Sequence, residues 1–325
     1  MYSHSHKLLL VTALCAATAC SRGRSPEVQV VEETYVHKYG IDIPPEDWKS
    51  RGENGQVVST LNNGVVVAKT YADGRVHGDT TFTFPYSAQI HRVEAYVNNQ
   101  MVKETINYPS GAPMQQVSQT AEGGKLISMW YENGAPMSVE EYDLKDLLEH
   151  GEYYNLNHSI DSRVDDYEGI RTLHDRYGTL SSRETVQAGE VTEQVTYYPN
   201  GAPKTVTPYI HAIVSGVCKH FLQGGEPRSI EEWTDGKQHG LTTLFENGER
   251  VSEILYVNGE KNGVEHRYRN GNELVQEITW VEGKRHGPCK TCLGKVPQIE
   301  WYFRGEPVTK GNFDVLSRSY INTSL

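Results

Sequence analysis

The chain has 325 residues, 37 % of them hydrophobic, a formal net charge of −11 and a mean hydropathy of −0.58. Net acidity excludes the basic footprint of a nucleic-acid binder, and no cluster of Lys and Arg offers itself to anionic lipid headgroups. Tyr outnumbers Phe by 20 to 6, which suits a thin sheet where rings are covered and hydroxyls stay wet.

Residues 1–19 carry no acid: His4, His6 and Lys7 precede an apolar run from Leu8 to Ala17, and Ala17-Thr18-Ala19 leads into Cys20. This is the pattern of a secretory signal. An apolar run of about ten residues is too short to span a bilayer, which takes about twenty. Small residues directly before a cysteine resemble the lipobox of bacterial lipoproteins, in which Cys20 becomes the lipid-bearing first residue of the mature chain. Ala17 stands where leucine is more usual. The alternative is ordinary cleavage beside Ala19, with Cys20 a plain thiol. In the lipoprotein reading a lipid, rather than charge, holds the protein to a membrane. Ser21 in place of an aspartate points to the outer membrane of the cell envelope, facing the periplasm or the surface. Residues 20–50, with Pro44-Pro45 and no turn signal, read as a tether followed by a cap in which Trp48 covers the first strand edge.

From residue 51 to 311 a turn signal recurs. Its clearest stretch is Trp233-Thr-Asp-Gly236, Phe245-Glu-Asn-Gly248, Tyr256-Val-Asn-Gly259, Tyr268-Arg-Asn-Gly271 and Trp280-Val-Glu-Gly283. Asn-Gly and Asp-Gly tolerate the positive φ values of a two-residue hairpin turn. One aromatic series, followed as Leu61, Phe84, Tyr108, Tyr131, Tyr154, Tyr177, Tyr198, Phe221, Phe245 and Tyr268, keeps a period of roughly 23 residues, so each unit is two strands and two turns. Between turns the apolar residues alternate, as at Ile254 and Tyr256 against Glu253, which is strand periodicity. Asp143–Glu149 has helical spacing in Leu144, Leu147 and Leu148, but the turn register runs through it, and strand and turn are expected there. The predicted fold is all-β: an elongated antiparallel sheet of about ten stacked hairpins over 51–311, with 312–325 as a C-terminal tail.

A second glycine follows the first by four residues in Gly74/Gly78, Gly236/Gly240, Gly259/Gly263 and Gly283/Gly287, and marks a bend, a bulge or a close backbone approach. With the His-Gly pairs His77-Gly78, His239-Gly240 and His286-Gly287 and the turn aromatics, these units resemble MORN repeats. Their spacing is similar to the bacterial MORN-variant repeats of YwqK-type antitoxin components. The resemblance covers about four fifths of the chain, and the units around 155–195 depart from it. It implies a stack of hairpins used for binding or scaffolding, with no catalytic residues to carry over. It also implies a second reading, an antitoxin-type protein that binds and neutralises a toxin partner.

Candidate chemistry is sparse. His77, His150, His239 and His286 occupy equivalent places before a strand glycine. Neighbouring units put such positions about 10 Å apart, two strand spacings, whereas zinc needs its donors at about 2 Å. No metal or cofactor is expected. Cys289-Lys-Thr-Cys292 is a lone CxxC, for which the default in an exported chain is a disulfide. Cys218 occupies the place equivalent to Cys289 three units earlier, too far for a bridge. Glu140-Glu141 and Glu231-Glu232 point to opposite faces of their strands and read as a solvated surface. The aromatic row Tyr209, Trp233, Tyr256 and Trp280 admits two readings, a ladder for an extended glycan, peptide or partner protein, and the thin sheet's own core. No enzyme motif is present. The open ends of such an array also suggest an edge-to-edge homodimer.

Overall fold

The computed structural model describes residues 28–292 and 296–323. The expected signal segment, Cys20 and the start of the expected tether lie outside the described residues. The rest is the expected all-β architecture, one open antiparallel sheet of 27 strands. It is a meander: Arg75–Thr83, for example, pairs with Val66–Ala72 before it and Ile90–Val97 after it. Asp143 begins a turn in which its Oδ1 accepts the N–H groups of Lys145 and Leu147, and Leu148 opens the strand Leu148–Tyr154. The helical spacing of that segment is overridden by turn chemistry.

The turns along the two rims differ. On one rim most are two-residue turns with both central residues left-handed, as at Asn258 (φ 53°) and Gly259 (φ 88°). On the other, most carry a single left-handed glycine at the fourth position. In Tyr108–Gly111 the Gly111 N–H donates to the Tyr108 carbonyl and the Tyr108 N–H to the Ala112 carbonyl, with a register shift in the adjoining ladder. The uniform two-residue hairpin expected from sequence is therefore replaced by a bulged turn at these positions.

The units at 155–195 stay in the sheet, but two of the sequence markers are out of phase. The turn read at Tyr154 starts at Asn155, and the one read at Tyr177 starts at Asp175. At both, a short side chain replaces the aromatic: Asn155 Oδ1 accepts from the N–H of Asn157 and Ser159, and Asp175 Oδ1 from the N–H of Tyr177 and Thr179. An Asx side chain closing its own turn does the work of tetrad packing.

A sheet with no second layer must close its core from within. Across one face the register brings Cys218, Glu231 and Thr242 side by side, then Glu265, Ile278 and Cys289. Ile254 sits between the two groups. Ile254 is 1 % and Ile278 0 % exposed. The strand glycines mark bulges, as anticipated. At Gly240 (φ 118°) an added Cβ would lie 2.7 Å from Glu232 Cβ, and the ladder slips between Glu231 and Trp233.

Each end of the sheet finishes in a short strand. Val30–His37 pairs with Gly55–Leu61, and its other side is engaged by Asp42–Ile43 at Tyr35 and Val36. Trp48 ends the helix Pro45–Trp48 and packs on the sheet face with Ile43 and Val57, its ring 5.4 Å from Tyr35 and 5.9 Å from Tyr71. It covers a face, not the strand edge. At the far end Glu306–Val308 holds Pro307, and the residues expected as a tail form the helix Lys310–Thr323. Phe313 of that helix lies 5.1 Å from Trp301 and 5.4 Å from His286.

Candidate binding face

Tyr209, Trp233, Tyr256 and Trp280 stand on the buried-row face, all half-buried. Each lies two residues beyond a member of that row, Thr207, Glu231, Ile254 or Ile278. The indole N–H of Trp233 donates to Glu231 at 3.1 Å, and that of Trp280 to Glu265 at 2.9 Å. Lys261 Nζ sits 4.7 Å from the Trp280 ring centre. Burial pushes the hydroxyls of Tyr209 and Tyr256 up, with nearby carboxylates adding to it. The row is thus partly core, its two indole N–H groups engaged by carboxylates, with ring surface still open to solvent.

A pattern missed in the sequence organises this face. Glu-x-aromatic recurs along the strands, and side chains two apart share a face. The aromatic donates to the glutamate in Glu94-x-Tyr96, Glu140-x-Tyr142, Glu231-x-Trp233 and Glu300-x-Tyr302, and on the opposite face Tyr154 does so to Glu152. The signal was present in the sequence as a repeated tripeptide, hidden because acidic residues before aromatics read as surface.

At Glu140 that reading is wrong. Glu140 is 2 % exposed. Its Oε1 accepts from Arg171 Nε at 2.6 Å and Tyr153 Oη at 3.0 Å, and its Oε2 from Tyr142 Oη at 2.8 Å. Arg171 also donates to Glu184 at 2.9 Å, and Gln194 to Glu184 at 2.7 Å. Burial alone would raise the Glu140 carboxyl, but Arg171 and the two hydroxyls hold it below the usual range. Burial pushes Tyr142 and Tyr153 upward, with the Glu140 charge adding to it. A buried carboxylate must be paired, and the third strand along the meander, Glu168–His174, supplies the partner. Glu231 is half-buried, held by Ser229, Trp233 and Gln238. Glu265 repeats the device with Lys261 at 3.0 Å and Arg267 at 2.7 Å.

Two of the repeated histidines, His77 and His286, serve the hairpins. Nδ1 of His77 accepts from the Asn98 N–H and Nδ1 of His286 from the Arg304 N–H, both at 3.4 Å. Among the described residues no group of three His, Cys, Asp or Glu could hold a metal ion. Cys218, Cys289 and Cys292 are free thiols. Cys289 lies in the strand Lys284–Thr291 and Cys292 directly follows it, its N–H donating to the Val275 carbonyl. Three residues of extended chain separate two Cα atoms by about 10 Å, beyond the roughly 7 Å limit for a bridge. The expected disulfide does not form in this geometry.

Among the described residues no helix is long and apolar enough to cross a membrane. No protein-family model matches the chain, and no curated protein matches it.

Proposed function

We propose that this chain is a non-catalytic protein of the cell envelope whose repeat array presents a surface for binding or scaffolding, held to the membrane by a lipid on Cys20. One observation carries the reading: the array is a single open sheet in which Tyr209, Trp233, Tyr256 and Trp280 recur along one face with ring surface still accessible. Aromatics at fixed spacing suit an extended partner, a protein segment or a glycan chain. The carboxylates beside them are occupied in holding the sheet, as at Glu231 and Glu265. The resemblance to MORN-variant repeats supports the same role.

Two measurements test this. Radiolabelled palmitate should mark the wild type and not Cys20→Ala, and an unlabelled, cytosolic wild type would end the envelope reading. A photo-crosslinking residue at Tyr256 in the native envelope should capture a discrete partner, and Trp233→Ala with Trp280→Ala should abolish that adduct. An adduct indifferent to both substitutions would remove the aromatic row from the binding role.

A further inference from the structure

The opposite face of the sheet carries an apolar stripe of its own. Leu241 pairs with Leu255, and Val264 with Thr279; Leu255 lies beside Val264 because the neighbouring residues Glu253 and His266 are paired. Leu241, Leu255 and Val264 are 42 %, 45 % and 42 % exposed. A lone exposed leucine is ordinary, but apolar side chains in register on consecutive strands form a patch. Two residues along the same strands runs a second row, Ile230, Thr243, Glu253, His266, Glu277 and Lys290, also in register.

These rows are complementary to themselves when reversed. A two-fold axis parallel to the strands, between Glu249–Val257 and Gly263–Arg269, places Leu255 of one copy on Val264 of the other, and Leu241 on Thr279. In the second row the same axis sets Glu253 against His266, Thr243 against Glu277 and Ile230 against Lys290. No charge meets its like. Aligned sheets pack about 10 Å apart with their strands within about 30°. The two ends of the array offer less: Glu306–Val308 is short and holds Pro307, and Val30–His37 is engaged on its outer side by Asp42–Ile43, both devices that blunt an edge.

We propose that a second copy of this chain packs face to face on the stripe through Leu241, Leu255 and Val264, giving an isologous dimer. The inference does not rest on the envelope role. It also replaces edge-to-edge pairing as the route to self-association.

Sedimentation equilibrium on the full chain carrying Cys20→Ala, so that no lipid drives association, should show a monomer–dimer equilibrium. Leu255→Lys should abolish the dimer. The strand-compatible Leu255→Thr should weaken it by about tenfold, with the melting temperature and circular dichroism of the monomer unchanged. Val31→Pro, which blocks hydrogen bonding at the N-terminal edge, should leave the dimer intact. A strict monomer at the highest concentration, a dimer indifferent to both Leu255 variants, or a dimer lost in Val31→Pro would each overturn the proposal.

Discussion

Arg171 Nε lies 2.6 Å from Oε1 of Glu140, across a sequence separation of 31 residues. This contact crosses the sheet beside the core cluster of Leu148, Tyr153, Val164 and Val186. Arg171→Met keeps much of the side-chain bulk but leaves Glu140 charged, buried and without its cation. Such a change should cost about 3–5 kcal/mol, and urea unfolding of the two proteins measures it. The pair Arg171→Met with Glu140→Gln should recover part of that loss. A full loss in the double variant would show that packing, not charge, makes Arg171 important.

The same carboxylates set the acid limit. Burial opposes ionisation of Glu140, Glu253 and Glu265, yet hydrogen bonds and nearby cations leave all three lowered. The folded state therefore binds fewer protons than the unfolded chain as pH falls through the usual carboxylate value of about 4.3. Their stabilisation is complete above that value and is lost as pH drops through the lowered folded values. Thermal melts should hold a plateau down to about pH 5 and fall steeply below about pH 4. In Glu265→Gln that acid fall should be shallower.

Much of this was legible in the sequence, because strand alternation and Asn-Gly turns are local and encode the meander directly. Tyr154 and Tyr177 were assigned one and two residues out of phase, since Asn155 and Asp175 close their turns through their own side chains and need no aromatic. Glu140 reads as surface in the sequence because nothing in its neighbourhood announces Arg171, a partner contributed by a later hairpin. The indole-to-carboxylate bonds of the aromatic row were missed for another reason. Glu-x-aromatic is visible as a tripeptide, but its meaning depends on whether the shared face is covered.

Turn tyrosines tie successive repeats together. Tyr108 donates its hydroxyl to the Trp130 carbonyl, Tyr131 to that of Tyr154 and Tyr198 to that of Phe221, at separations of 22, 23 and 23 residues. Burial pushes the Tyr131 hydroxyl up to about 12, with Asp161 and Asp175 adding to it. Tyr131 is 0 % exposed. Phe at each site should cost about 1 kcal/mol, with Tyr131→Phe the largest because its partner is left dry. Tyr108→Phe and Tyr198→Phe are far apart along the array and should add, as denaturant titration of the double variant will show.

His211 and Ala212 form a two-residue turn with φ 48° and 61°, a conformation that asparagine and glycine adopt at lower cost. Ala212 is exposed. Ala212→Gly should raise stability by about 0.5–1 kcal/mol, against the usual trend for glycine substitutions. A lowered melting temperature would mean that the entropy gained by the unfolded chain outweighs the relief.

The three described thiols should react in a fixed order. Cys218 is 3 % and Cys289 4 % exposed, while Cys292 is half-buried. Burial, with the Glu231 charge adding to it, pushes the Cys218 thiol up to about 11, and burial raises Cys289 as well. A thiol held protonated is a poor nucleophile whatever its access. At pH 8, maleimide followed by peptide mapping should label Cys292 first, and label Cys218 and Cys289 together with global unfolding. Rapid labelling of Cys289 in the folded protein would mean that the strand Lys284–Thr291 opens locally, exposing the row that closes the sheet.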